Sequence, residues 1–285
     1  FLFGSLSFLL YICSVETNKE KNMEQKYQVR HDLIKQVHGR TLYRIQALKS
    51  FGRINKGDLG GWIEKEDNLS QEGNCWVFDD ACVFDNAKVY DDAIVKGEAE
   101  VFGYSEAYGN SHIFDKAKVY GKAKIFDNAD VYGLSCVFDE AKVCGRANIF
   151  CKALVYGKAC ISGNSIVYEN AKVYNEANLK DKVVIMGDAK IYGNAIVCEN
   201  ASVTDYGEVY DYAKICGQGK VYENGKVYGN AVVCGSSSIC GICEVGSNAI
   251  IRNKCYMFGK RFSEQDTYTL NDVVKSIKKR YSYLK

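Results

Sequence analysis

From Cys75 to Lys122 the chain reads CWVFDD, ACVFDN, AKVYDD, AIVKGE, AEVFGY, SEAYGN, SHIFDK, AKVYGK, and this six-residue frame continues without insertion to CYMFGK, which ends at Lys260. That makes thirty-one units. The first position is Ala, Ser, Gly or Cys in every unit except the one beginning at Val183, and the third is Val, Ile or Leu in every unit except those holding Ala107 and Met257. Residues two apart in an extended segment point to the same side, so these two positions are the candidate core and the second and fourth face solvent. The fifth is Gly or Asp in twenty-four units and the sixth is often Asn, Asp or Lys, residues suited to the permissive backbone of a corner.

A small-x-aliphatic period of six is that of hexapeptide parallel β-helices, in which each unit is one short strand and three units close a coil. The expected fold is all-β: a left-handed parallel β-helix, a triangular solenoid of about ten coils, roughly 50 Å long at ~4.8 Å between strands. Such a rod exposes unpaired backbone and apolar rungs at both ends and needs caps. Ahead of the repeat, KYQVRHDLIKQVHGRTLYRIQALKSFG reads as strands, and KGDLGGWIEKEDNLSQEGN as a turn and a first irregular coil. A β-rich N-terminal cap is therefore expected over 23–74, with Trp62 and Trp76 closing the end. After the 75–260 repeat, Asn271 is placed to cap a helix with Val274, Ile277 and Tyr281 on one face, so 261–285 is expected to be a C-terminal capping helix. Residues 1–22 read as a disordered segment upstream of a start at Met23; the alternative is a truncated signal peptide, which would mean export.

The chain is 47% hydrophobic and 25% charged with a formal net charge of +2, which gives no bias towards nucleic acid or an anionic membrane, and neither is expected as a partner. Proline is absent, while glycine numbers 26 and tyrosine 21, as suits many turns between short aromatic-bearing strands. Of the thirteen cysteines all but Cys13 lie within the repeat, and they are read as reduced thiols of a cytoplasmic protein.

The units resemble the left-handed β-helix of hexapeptide-repeat acyltransferases, whose pattern sets an aliphatic residue first and a small one four places later, as Val83 and Ala87 are here. More closely, KGDLGGWIE followed by LSQEGNCWVFDDA is similar to YdcK-like hexapeptide proteins of bacteria and their phages. The resemblance implies an acyl-coenzyme A donor, a His general base, a loop leaving the coils and a trimer whose interface forms the coenzyme site. No loop interrupts the coils here, and of three histidines only His112 lies in the repeat. Asp130 follows His112 by one coil and could orient its imidazole. His112 and Asp130 are the candidate catalytic pair, although no nucleophile or oxyanion-hole pattern accompanies them.

Sorting outward residues by eighteens gives one unbroken column: Phe84, Phe102, Tyr120, Phe138, Tyr156, Tyr174, Tyr192, Tyr210 and Tyr228. Stacking would strengthen coil packing by about 0.2–1 kcal/mol per pair. A long aromatic strip also marks a protein interface or a groove for stacking sugars or bases. Cys198, Cys216 and Cys234 form a shorter column at the spacing of a disulfide or soft-metal site, but no His or second CxxC accompanies them, so no metal is expected. Thr204 is the only threonine of the repeat, which excludes an ice-binding face. The sequence therefore points to a non-enzymatic scaffold or binding protein without a cofactor, self-associating as a homo-oligomer or gripping a partner through the aromatic column. The alternatives are an acyltransferase using acyl-coenzyme A and a phage-associated small-ligand binder.

Overall fold

The structure, a computed structural model, describes residues 25–259 together with the backbone of Arg261–Phe262 and Thr267–Tyr268. It opens with a hairpin, β1 (Tyr27–Val37) and β2 (Arg40–Ala47), whose turn His38-Gly39 has both residues at positive φ, 49° and 78°. Strand β3 (Leu59–Ile63) pairs antiparallel with β2 and parallel with Cys82–Val83, which converts the hairpin into the first rungs of the solenoid. Two glycines permit this junction: a Cβ on Gly60 would stand 2.6 Å from Ile45 Cγ1, and one on Gly61 2.6 Å from Val77 Cγ1.

Beyond β3 the chain winds into three sheets of parallel strands, most of them two residues long and formed by the second and third positions of each unit. The sheet holding Cys82–Val83 has fourteen strands, of which β1 to β3 are the first three; the other two sheets have eleven each. Eleven strands per face make about eleven coils rather than ten. Backbone N–H groups donate along the rod to the next coil, as from Phe102 to Val119 O at 2.9 Å. First and third positions are sealed: Ala99, Val101, Ala117 and Val119 are all 0% exposed, and so are the irregular Val183 and Ala107. Three buried first-position serines pair by turning back to their own corner, Ser105 Oγ donating to Phe102 O at 2.8 Å, Ser135 Oγ to Tyr132 O at 2.8 Å and Ser165 Oγ to Ser162 O at 2.7 Å, whereas Ser111 Oγ is buried without a partner.

All thirty-one fifth positions have positive φ, glycine or not. Twelve of the acidic residues there accept a hydrogen bond at 2.7–3.2 Å from the backbone N–H of the corner one coil on, for example Asp79 from Gly97 and Asp127 from Gly145. A left-handed corner turns its N–H along the axis, and the carboxylate of the preceding coil meets it. Asp and Glu thus offset the cost of a conformation that favours glycine.

The start of the prism is plugged by Lys26, 1% exposed, whose Nζ donates to the carbonyls of Glu72 at 3.0 Å, Gly73 at 3.4 Å and Cys75 at 3.1 Å. Tyr27 and Phe51 lie edge-on to Trp76, 6.1 and 5.3 Å between centroids. Trp76 closes the end as expected, but Trp62 does not. Trp62 lies on the outward side, beneath Arg44 and Lys35, with Nε1 donating to Asp80 at 3.2 Å.

The expectation of a helix across 261–285 needs correction where the backbone is described. Arg261–Phe262 pairs with Glu244–Val245 and Thr267–Tyr268 with Ile250–Ile251, extending two sheets in parallel. These partners are seventeen residues apart rather than eighteen, so a count in sixes loses them. The helix placed from Asn271 onward lies outside the described residues, as does the expectation for residues 1–22.

Candidate functional site

The face built on Cys82–Val83 carries the unbroken aromatic column. Every fourth-position side chain from Phe84 to Tyr228 lies flat on the next, with centroids 4.9 Å apart throughout except the last step at 5.2 Å, and planes within 9° of parallel. Parallel in-register strands impose this spacing, and it matches ring contact, so the stack runs roughly 40 Å with little rotamer freedom. The other faces hold shorter stacks. Phe114, Tyr132, Phe150 and Tyr168 are continuous on the second and end where Tyr168 Oη donates to Met186 Sδ at 2.7 Å. Tyr90, Tyr108 and Phe126 stack on the third.

The column is half-buried rather than open along most of its length, since each ring hides both faces and presents an edge. Burial pushes the hydroxyls of Tyr120, Tyr156, Tyr174, Tyr192 and Tyr210 above the usual tyrosine range, so they remain neutral donors. The sequence missed one thing here: the N-terminal hairpin folds over the start of the face. Phe84 is only 2% exposed and joins a small apolar cluster with Leu42, Cys82, Val37, Trp62 and Phe102. His38 sits over Phe84 and Phe102 at 6.0 and 6.4 Å, its Nε2 3.2 Å from Glu100. The surface left to a partner begins at Tyr120.

Beside the aromatics runs the second-position column Cys82, Glu100, Lys118, Cys136, Leu154, Lys172, Lys190, Glu208, Lys226, Glu244, each residue opposite the next. Ion pairs link Lys118 to Glu100 at 3.0 Å, and Lys190 and Lys226 to Glu208 at 3.3 and 3.6 Å.

On the second face His112 and Asp130 are direct cross-strand partners, with Nδ1 3.0 Å from Oδ1. The contact leaves the pair on an open flat sheet, the side chains 44% and 34% exposed, without a water-excluding wall. On the third face Cys198, Cys216 and Cys234 occupy the fourth positions of three successive coils, Cys198 being buried. All three are free thiols, and burial together with the neighbouring thiols pushes Cys216 up to about 11. Among the described residues no group of three His, Cys, Asp or Glu side chains is placed to hold a metal ion. A shallow hollow lined by Asp67, Ser70, Lys88, Val89, Tyr90 and Glu106 lies open beside the first coils.

No family model matches the chain. Over 38 residues, 13% of this chain, it is 47% identical to the uncharacterized acetyltransferase YdcK of Escherichia coli (strain K12), and the match covers 12% of that protein's length. The short similarity and the β-solenoid fit a hexapeptide-repeat protein. Among the described residues no helix is long and apolar enough to cross a membrane.

Proposed function

We propose that this protein is a non-enzymatic β-solenoid scaffold that associates, with itself or with a partner protein, through its aromatic face. The observation that carries this is the unbroken register of nine stacked rings from Phe84 to Tyr228. Stacked rings are already ordered, so docking on them loses little side-chain entropy, and amphipathic Tyr edges supply apolar area and hydroxyls together. Its thiols stay reduced, as in a cytoplasm, and it needs no cofactor. The test is light scattering and partner capture with Tyr156→Ser/Tyr174→Ser. Loss of association with the fold retained supports the reading, whereas unchanged mass and unchanged capture would leave the ladder a stability device only.

A second reading rests on the YdcK similarity and the His112–Asp130 contact: an acyltransferase in which Asp130 orients His112 as general base towards an acyl-coenzyme A donor. Calorimetric titration with coenzyme A tests it. Binding tighter than about 100 µM, worth over 5 kcal/mol, and weakened by His112→Ala would favour the enzyme. Absence of heat would remove it.

A further inference from the structure

The two outward columns of the aromatic face carry more than a capacity to associate; they specify an arrangement. We propose that two copies pair antiparallel across this face, about a two-fold axis lying along the strand direction between the Leu154 and Lys172 coils. The inference rests on the reading of this face as an interaction surface.

The geometry follows from symmetry. A two-fold axis along the strands reverses the rod but leaves each position along a strand where it was, so the ring column meets the ring column and the charged column meets the charged column. An axis along the rod would instead set rings against Lys and Glu. With the axis between Leu154 and Lys172, Tyr156 faces Tyr174, Phe138 faces Tyr192 and Tyr120 faces Tyr210. At each end the hairpin over Phe84 and Phe102 takes the place of ring-to-ring contact and meets the second copy around Tyr228, whose ring lies over Gly246.

The charged column selects this register. Read from Glu100 the first charges run minus, plus; from Glu208 the late ones run minus, plus, so reversal sets unlike charges together. Glu100 meets Lys226 of the second copy and Lys118 meets Glu208 of the second copy, while Leu154 faces Lys172 and Cys136 faces Lys190. No like charges oppose. Moving the axis one half-coil either way sets Lys172 on itself and Lys118 on Lys226, or Glu100 on Glu208 and Lys118 on Lys190. Like charges directly opposite are destabilising. A strip roughly 40 Å long and two outward residues wide with its corners buries on the order of 600 Å² per copy, about 1,200 Å² in total, the lower edge of specific interfaces.

The test uses the full chain at micromolar concentration. Light scattering is expected to give twice the 31.9 kDa chain mass. Zero-length carbodiimide coupling should join Lys118 to Glu208. Within one copy these residues are five coils apart, roughly 24 Å at strand spacing, so that link forms only between copies. Lys118→Glu and Glu208→Lys should each raise the dimer dissociation constant by about tenfold or more, and the double variant should restore it. Within one copy each reversal only adds repulsion, next to Glu100 or between Lys190 and Lys226, so rescue arises only across the interface. A monomer at every concentration overturns the proposal. So does an oligomer lacking the Lys118–Glu208 link and the rescue; if Tyr156→Ser/Tyr174→Ser still dissolves that oligomer, the face remains the interaction surface and only the arrangement falls.

Discussion

Gly163 and Asp181 occupy corners one coil apart, and a Cβ on Gly163 would stand 2.5 Å from the Asp181 backbone nitrogen and 2.6 Å from its carbonyl oxygen. At Gly97 the corresponding atoms of Asp115 lie at 3.1 and 3.0 Å. Both glycines have positive φ, so Ala costs about 1–2 kcal/mol at either. Only at Gly163 must the neighbouring backbone also move. Gly163→Ala is therefore expected to destabilise by about 1 kcal/mol or more beyond Gly97→Ala, read as the difference in guanidinium midpoint. Equal shifts would mean the Asp181 corner yields without cost.

Glu100 links the hairpin to the solenoid. Burial alone would raise its pKa, but hydrogen bonds from Lys118 and His38 outweigh it and hold the carboxyl below the usual range. A carboxylate with a depressed folded-state pKa adds stability that is complete above the unfolded value, about 4.3, and is lost as pH falls through the folded value. Glu100→Gln should cost roughly 0.5–1.5 kcal/mol at pH 6, and the gap to the parent should shrink on acidification to about pH 3. Melting curves at the two pH values check this; a gap independent of pH contradicts it.

Cys144 and Cys160 lie on neighbouring coils of the third face, Cys160 opposite Lys142. The neighbouring Cys144 thiol holds Cys160 below the usual thiol range, and Cys144 itself is raised. Thiolate is the reacting species. Iodoacetamide at pH 7 should modify Cys160 well before Cys216, and Cys144→Ala should slow it. Peptide mapping of the modified cysteines measures both; equal rates at Cys160 and Cys216 would refute the pairing.

Removing the Lys26 ammonium would strip its hydrogen bonds from the carbonyls of Glu72, Gly73 and Cys75 at the mouth of the core. Lys26→Ala is expected to cost about 2–4 kcal/mol. Hydrogen exchange should locate the loosening in the hairpin and the first coil, with the coils around Tyr174 unaffected. Uniform loosening would place the role of Lys26 elsewhere.

Much of this architecture is legible in the sequence because a strict period of six leaves little freedom: Val101 and Ala99 are buried, and Tyr156 lies on Tyr174, for the same reason that they recur. The aromatic column could be written down residue by residue, and so could the His112–Asp130 proximity. What escaped is non-periodic or depends on direction. That the hairpin would fold over Phe84 is invisible because His38 and Leu42 lie outside the frame. The corner residues Asp79 and Asp127 read as turn formers, and their bonds to the next coil need the orientation of a left-handed N–H. The strands at Arg261 and Thr267 were lost to a single missing residue in the count.

The hydrogen bonds between coils, such as Phe102 to Val119 and Tyr120 to Val137, nearly all point along the rod. A tension applied to its two ends therefore loads them one coil at a time, in series, whereas compression across the prism bears on all three sheets at once. Under pulling, the molecule should lengthen in even steps, each freeing one coil of eighteen residues, or roughly 60 Å of extended chain. It is stiff as a strut and yielding as a tether.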